Sequence, residues 1–478
     1  MTPEALELLF TGAFHGLGAL FAVAFGIVLL LLAEILPGAA KLRPAIFVAT
    51  LVVAFLGELH LLDEPAGIVL GGSYIADAST AAWGMVFLCA TAIAWVFGRG
   101  YYTVEKPFQG EHDVLMLCSL LGMLLMAGSG DLLSFFIGLE LLSVPLYALC
   151  GFRRARNDSV ESGLKYFLLG AFGSALFLYG AALVYADTGT ISLLELGNAD
   201  TSDSLSLIGY ALITSALLFK AGVFPFHFWI PDVYQGAPTP VTTFMATGTK
   251  AAAFAFLLKM AFVLPAGAVA SLSWIALITI ALGNLGALVS RDLKRMLALS
   301  GVAHAGILLL AVVSCLKTGN VALAEEAAIY YMAAYVFSAG GAFGLIALLE
   351  SKTGEPTTLD SIKGLGARRP GMAAAMAVFM LSLAGIPATG GFLGKYFVFS
   401  TLVVQADMAG AAIIAILLSV IALGYYLRVI IAMWMEPADE VATLPAEPKR
   451  LGGAAAAVCV AMVFLLGVLP DLFLGLLP

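Results

Sequence analysis

Glu140, Lys165, Lys220, Lys250 and Lys395 are ionisable residues set in stretches otherwise apolar enough to lie in a membrane. Lys259 and Arg428 complete the set of misplaced charges. A charge in hydrocarbon costs several kcal/mol, so such groups normally face a protein interior or a wet path and have partners there. Lysine is the informative type, because its ammonium can give up a proton when its surroundings change, whereas arginine does not. Opposite charge stabilises the ionised forms and burial opposes them, so a chain of such groups, alternately paired and released, suits a proton relay. Glu140, in "FFIGLELLSVPLYAL", and Lys165, early in the next apolar run, are expected to meet across antiparallel helices. That ion pair has two readings: a structural clamp, and a gate that sets the lysine's hold on its proton. Lys259 and Arg428 fall near the ends of their runs and read as side chains snorkelling to the interface.

Broken backbone is the second ingredient. Pro225 in "FKAGVFPFHFW" and Pro387 in "LSLAGIPATGGFLGKYFVF" each remove an amide donor and clash with the preceding turn. Irregular backbone at membrane depth survives only where protein or a watery cavity covers it. Each break therefore exposes carbonyls and amides that can hold water or orient a charged side chain. His227 reads as the water-accessible end of the first broken helix. For His304, in "SGVAHAGILL", a relay role and a packed polar role are both open. No spacing among the five histidines resembles a metal site, and no phosphate-binding or dinucleotide motif occurs.

The elements that must position these groups follow from composition. The chain has 478 residues, 62% hydrophobic and 11% charged, against roughly 25% charged in soluble domains. Apolar runs of spanning length recur from end to end. Fourteen spans are expected, near 9–33, 43–62, 78–97, 112–128, 131–150, 161–186, 205–224, 240–263, 270–289, 298–315, 325–349, 371–403, 408–434 and 452–474. The run at 371–403 is too long for one straight crossing and contains Pro387. Loops after odd-numbered spans carry sixteen basic residues, Arg153, Lys294, Arg295 and Lys363 among them, while loops after even-numbered spans carry Lys317 alone. The positive-inside rule places the odd loops in the cytoplasm and both termini on the outer, periplasmic side of a bacterial inner membrane. The acidic start "MTPEALELLF" lacks the basic flank of a cleavable signal. The five scattered cysteines offer neither a disulfide framework nor a cluster site. "AGVFP" at 221–225 and "AGIP" at 384–387 lie in oppositely directed spans 7 and 12. Spans 4–8 and 9–13 therefore read as inverted repeats, an architecture common in transporters.

"GLELLSVPLYAL", "SGLKYFLLGAFGSALFLYG", "LLFKAGVFPFHFWIPDVYQGAPTPVTTFMATGTKAAAFA" and "RDLKRMLALSGVAHAG" together resemble the subunit N family of NADH-quinone oxidoreductase, respiratory complex I, equivalent to mitochondrial subunit 2. The resemblance covers nearly the whole chain. "PDVYQGAPTP" favours this family over its antiporter-like paralogues, which usually carry a "PxAH" pattern there. The resemblance implies an all-α fold of about fourteen helices with helices 7 and 12 broken. It divides the chain into 1–111, a first repeat 112–263, a second repeat 264–434, and 435–478. It implies a polar axis of Glu140, Lys165, Lys220, Lys250 and Lys395 that moves protons, driven by quinone reduction elsewhere in the complex. Cofactors in this chain are expected to be none; FMN, iron-sulfur clusters and quinone are implied for other subunits. The implied partners are other membrane-arm subunits, especially another antiporter-like subunit and the small membrane subunits, with lipid, protons and internal water. A free-standing cation/proton exchanger and a structural spacer are the alternative readings.

Overall fold

In lipid, every backbone polar group must be satisfied within its own segment, so long apolar runs fold as helices. The computed structural model describes residues 16–101, 110–199, 203–353, 356–437 and 450–475. Its long helices are α1 (Gly18–Ile35), α2 (Arg43–Leu62), α3 (Ala78–Tyr101), α4 (Gly110–Gly128), α5 (Leu132–Cys150) and α6 (Asn157–Thr188). There follow α7a (Ser204–Ala221), α7b (Trp229–Gly236), α8 (Thr239–Ala261), α9 (Ala268–Val289), α10 (Leu293–Thr318) and α11 (Val321–Thr353). Last come α12a (Pro370–Ala384), α12b (Gly390–Ser400), α13 (Ala409–Trp434) and α14 (Arg450–Val468). Among the described residues, thirteen helices are long and apolar enough to cross a membrane. The twelfth crossing is the exception because it is divided at 385–389. The start of the first expected span, Lys106, Lys449 and the last three residues lie outside the described residues.

Burial sorts these helices into layers. α8, α10 and α11 are sheathed on nearly all sides and form the centre, while α1, α13 and α14 turn most of their apolar surface outward. That outward surface includes Phe25 of α1 and Leu417 of α13, continues onto Phe172 of α6 and Trp274 of α9, and suits acyl chains. Small residues set the helix spacing. A Cβ at Gly122 of α4 would stand 2.3 Å from the Leu142 amide nitrogen and 2.7 Å from the Gly138 carbonyl of α5. Only glycine lets these backbones approach, and that approach seats Glu140 of α5.

The loops gather in two sets, as alternating crossings require. A hairpin, β1 (Gly67–Val69) with β2 (Tyr74–Ala76), follows α2. Tyr74 bridges to Ser129 after α4, and Asp131 bridges to Ser192 after α6. In the other set, Asp292 after α9 bridges to Thr358 after α11, and Lys294 donates to the Ala237 carbonyl after α7b at 2.8 Å. Even-numbered and odd-numbered loops thus keep to separate faces.

Candidate functional site

Both breaks begin with the same cap. The amides of Gly222 and Val223 reach back to Phe219 and Leu218, and those of Gly385 and Ile386 reach back to Ser382 and Leu381. Gly222 (φ 75°) and Gly385 (φ 87°) take the left-handed turn that such a helix end uses, and glycine carries no Cβ penalty there. Beyond the cap the breaks diverge. The Phe219 carbonyl is satisfied by the Trp229 indole N–H at 3.0 Å. At the second break the Lys395 ammonium does that work, donating to the carbonyls of Leu383 at 3.0 Å and Ala384 at 2.9 Å. A cation is favoured at a helix C-terminus, where unpaired carbonyls concentrate negative charge. Lys220 sits before its break and Lys395 after its own, so the two lysines are held differently.

Lys220, at 6% exposure, donates to Ser143 Oγ at 2.7 Å and to the Tyr166 hydroxyl at 2.9 Å. Its Nζ lies 5.2 Å from the Tyr166 ring centroid. Glu140, part-buried on α5, accepts a hydrogen bond from Ser174 of α6, and its charge acts on Lys220, Tyr147 and Tyr166. The Tyr166 ring stacks on Trp229, which meets Tyr234 edge-on, so an aromatic column leads from Lys220 toward the centre.

Lys250 occupies that centre at 2% exposure. It follows a π-helical turn, Met245–Thr249, in a helix whose threonines bond their own preceding turn. Its Nζ donates to the Gly301 carbonyl at 2.5 Å and lies 5.0 Å from the Tyr335 ring centroid. One turn further along α10, His304 joins the Tyr331 hydroxyl at 2.6 Å through Nδ1 and the Tyr426 hydroxyl at 3.1 Å through Nε2. The charges of Lys250 and Lys395 both reach His304. A small cavity lined by His304, Tyr331, Tyr335, Ser338, Ser382 and Leu383 joins them, since the Leu383 carbonyl holds Lys395. The two serine hydroxyls there are 2.7 Å apart.

Four expectations meet a different geometry. Lys165 does not pair with Glu140. It pairs with Glu161 at 2.7 Å and Asp232 at 3.2 Å, half-exposed on the odd-loop face, where Arg295 also binds Asp232 at 2.8 Å. The reason is axial position: Ser174, Glu140's partner, lies nine residues beyond Lys165 on α6, about 13.5 Å at 1.5 Å per residue. Arg428 reaches the end of α9, donating to the carbonyls of Leu288 at 2.8 Å and Ser290 at 2.6 Å. Lys259 is part-buried, with Nζ 3.5 Å from the Thr80 hydroxyl of α3, instead of snorkelling into open water. His227 is buried just past the first break, packed against the rings of Phe224 and Phe228, and does not read as an open, water-facing end.

Sequence reasoning missed a second charged group of the interior. Lys294 and Glu350, counted with the loops, are 5% and 7% exposed, with Nζ 4.0 Å from the carboxylate. Glu350 also accepts from the Thr239 hydroxyl and from the Thr357 amide at 3.4 Å. Lys294 lies seven residues before Gly301, which puts it on the same stripe of α10 that meets Lys250. That seven-residue spacing was the available signal. The tyrosines around His304 carried none, since aromatic residues abound in this background. Among the described residues no group of His, Cys, Asp and Glu converges as a metal site, and all five cysteines are free.

An all-α membrane protein with a buried line of titratable groups passing two broken helices has the construction of an ion-translocating membrane module. The chain belongs to the NADH:quinone oxidoreductase/Mrp antiporter family, whose transmembrane model matches residues 129–422. NADH-quinone oxidoreductase subunit N of Trichlorobacter lovleyi is 43% identical over 366 residues, covering 74% of each chain. Subunit N 1 of Chloroherpeton thalassium is 36% identical over 460 residues, covering 94% of each. Among solved structures, a chain of respiratory complex I from Thermus thermophilus with bound aureothin superposes with TM-score 0.82 at 34% identity, covering 96% of this chain and 98% of that one.

Proposed function

We propose that this chain is a proton-translocating membrane-arm subunit of an NADH-quinone oxidoreductase in a bacterial inner membrane, with the redox chemistry carried out by other subunits. The observation that carries the reading is the linked interior of Lys250, His304 and Lys395, three buried groups joined by tyrosines, serines and a cavity. Each lysine there is held by neutral acceptors, so either protonation state is within reach without breaking a direct ion pair.

In this reading protons enter from the odd-loop face beside Lys294 and Glu350. Seven residues of α10 separate Lys294 from Lys250's acceptor, about 10 Å, a distance that a few waters cover. The Lys250 ammonium hands its proton toward His304, and Lys395 holds it next, against the carbonyls of the second break. Glu140 is the input. It lies on the same outward stripe of α5 as Leu133, Ile137 and Val144, all exposed. A carboxylate on such a face at membrane depth calls for a neighbouring membrane subunit, and an antiporter-like subunit is the proposed partner. When that neighbour changes the charge near Glu140, the balance at Lys220 shifts through the field between them. Lys165 belongs to the rim network at the odd-loop face and not to the switch.

Helices α4–α8 and α9–α13 are proposed as the two inverted units, and their shared cap geometry supports that division. The odd loops are proposed to face the cytoplasm, with both termini outside, on the strength of the basic-residue asymmetry. FMN, iron-sulfur clusters and quinone are assigned to other subunits. The test is Lys250→Met in the assembled complex reconstituted in liposomes. Intact assembly with reduced proton pumping is expected; pumping at the wild-type rate in an assembled variant overturns the relay.

A further inference from the structure

At the opposite end of α8 from the Lys294–Glu350 pair lies a second polar cluster that the axis does not use. Lys259 of α8 comes within 3.5 Å of the Thr80 hydroxyl of α3. Thr80 in turn donates its hydroxyl to the Ile75 carbonyl at 3.0 Å and its amide to the Asp77 carboxylate at 2.7 Å. Glu325, 7% exposed at the start of α11, faces Lys259, and Asp77 is the other carboxylate whose charge reaches that lysine. Cys315 of α10 lies within reach of the Glu325 charge, and Tyr74 of the hairpin within reach of Asp77 and of the buried Glu58 of α2. Two donors point at the Glu325 carboxyl without closing a hydrogen bond: Ser79 Oγ, 8% exposed, and Trp83 Nε1, 0% exposed.

An ammonium with one long contact, a buried carboxylate and two orphaned donors leave too many polar groups unsatisfied for a dry core. Water between them completes the set. We propose that Lys259, Glu325, Ser79 and Trp83 form a hydrated proton-release site on the even-loop face, where protons leaving the axis are held before they reach the outer water. Lys259 already supplies the positive charge that a metal cation would bring, which selects a proton over sodium. The site shares both of its main helices with the axis. Lys250 lies nine residues away on α8, and Tyr335, under Lys250, lies ten residues from Glu325 on α11, a gap of about 13–15 Å at 1.5 Å per residue. Phe256, Leu257, Ala328 and Ile329 fill the helices between, all at most 1% exposed. That dry layer keeps outer protons from flowing back at rest, and the site loads when water crosses it.

The inference rests on the proton-relay reading above, so its test carries Lys250→Met alongside. Glu325→Gln, Glu325→Ala, Lys259→Met and Ser79→Ala are made in the full complex and reconstituted in liposomes, with proton release followed by a pH-sensitive dye. Glu325→Gln and Lys259→Met are expected to slow release by roughly tenfold or more, as loss of a general acid or base does. A small diffusible weak acid, azide or formate, should restore part of the rate in Glu325→Ala, which a merely structural role would not allow. Normal release in assembled Glu325→Gln, with Lys250→Met impaired, overturns the release site and leaves the relay standing. Normal release in both overturns the relay as well. Should Glu325→Gln fail to assemble, Ser79→Ala decides: slowed release supports the site and wild-type release overturns it.

Discussion

Lys395 is asked to do two things, to cap a broken helix and to hold a proton, and the two can be separated. Its ammonium makes hydrogen bonds of 3.0 and 2.9 Å to the Leu383 and Ala384 carbonyls. Polar contacts inside membrane bundles are worth about 0.6 kcal/mol on average and about 1.7 at most. Two of them give about 1–3 kcal/mol, or roughly a 5- to 150-fold weakening of the ordered break when both are removed. Lys395→Met removes the cap and the proton together. Lys395→Arg keeps the donors and the positive charge but cannot release its proton. Each variant would be assembled into the whole complex, its melting followed by native electrophoresis after heating, and its pumping measured in liposomes. Lys395→Met should melt earlier and pump poorly, whereas Lys395→Arg should melt near the wild type and still pump poorly. Wild-type pumping by Lys395→Arg would refute a proton-holding role, and unchanged melting of Lys395→Met would refute the capping role.

Other outcomes follow from particular contacts. Trp229→Phe keeps the stack on Tyr166 but leaves the Phe219 carbonyl with the Gly222 amide alone, a loss of about 0.5–1.5 kcal/mol for one hydrogen bond; faster hydrogen exchange confined to residues near 219–229 would show it. Gly301→Ala puts a Cβ 2.9 Å from Lys250 Nζ and 3.0 Å from the Tyr335 hydroxyl, so pumping should slow while assembly holds. Glu140→Gln retains an acceptor for Ser174 and loses only the charge; pumping should fall without loss of the subunit from the complex, and equal pumping would remove Glu140 as the input. Gly122→Val meets the backbone of α5, which cannot yield, and overpacking of this kind costs about 1–3 kcal/mol, measurable as reduced assembly of the complex.

How much of this was legible beforehand depends on whether a feature is local. The apolar runs, the two proline breaks and the depth of Lys220, Lys250 and Lys395 are properties of short segments. In lipid a segment must satisfy its own backbone, so run length and proline position are enough to place helices and breaks. The charge asymmetry of the loops likewise foretold two loop faces, and the pairing of Tyr74 with Ser129 and of Asp292 with Thr358 respects that division.

Partnership was not legible in this way. Glu140 and Lys165 sit in adjacent helices and looked like neighbours, yet their heights along α6 separate them, and Lys165 turned to Glu161 and Asp232. Lys294 and Glu350 looked like loop charges, but α10 and α11 carry them inward against Thr239. The twin caps at Gly222 and Gly385 gave no hint that an indole completes one break and an ammonium the other. These helices are apolar nearly all round, so no amphipathic stripe announces which face turns inward. Rotation and height are then set by where small residues such as Gly122 and Gly138 let backbones close together, which is a property of helix pairs and not of any one segment.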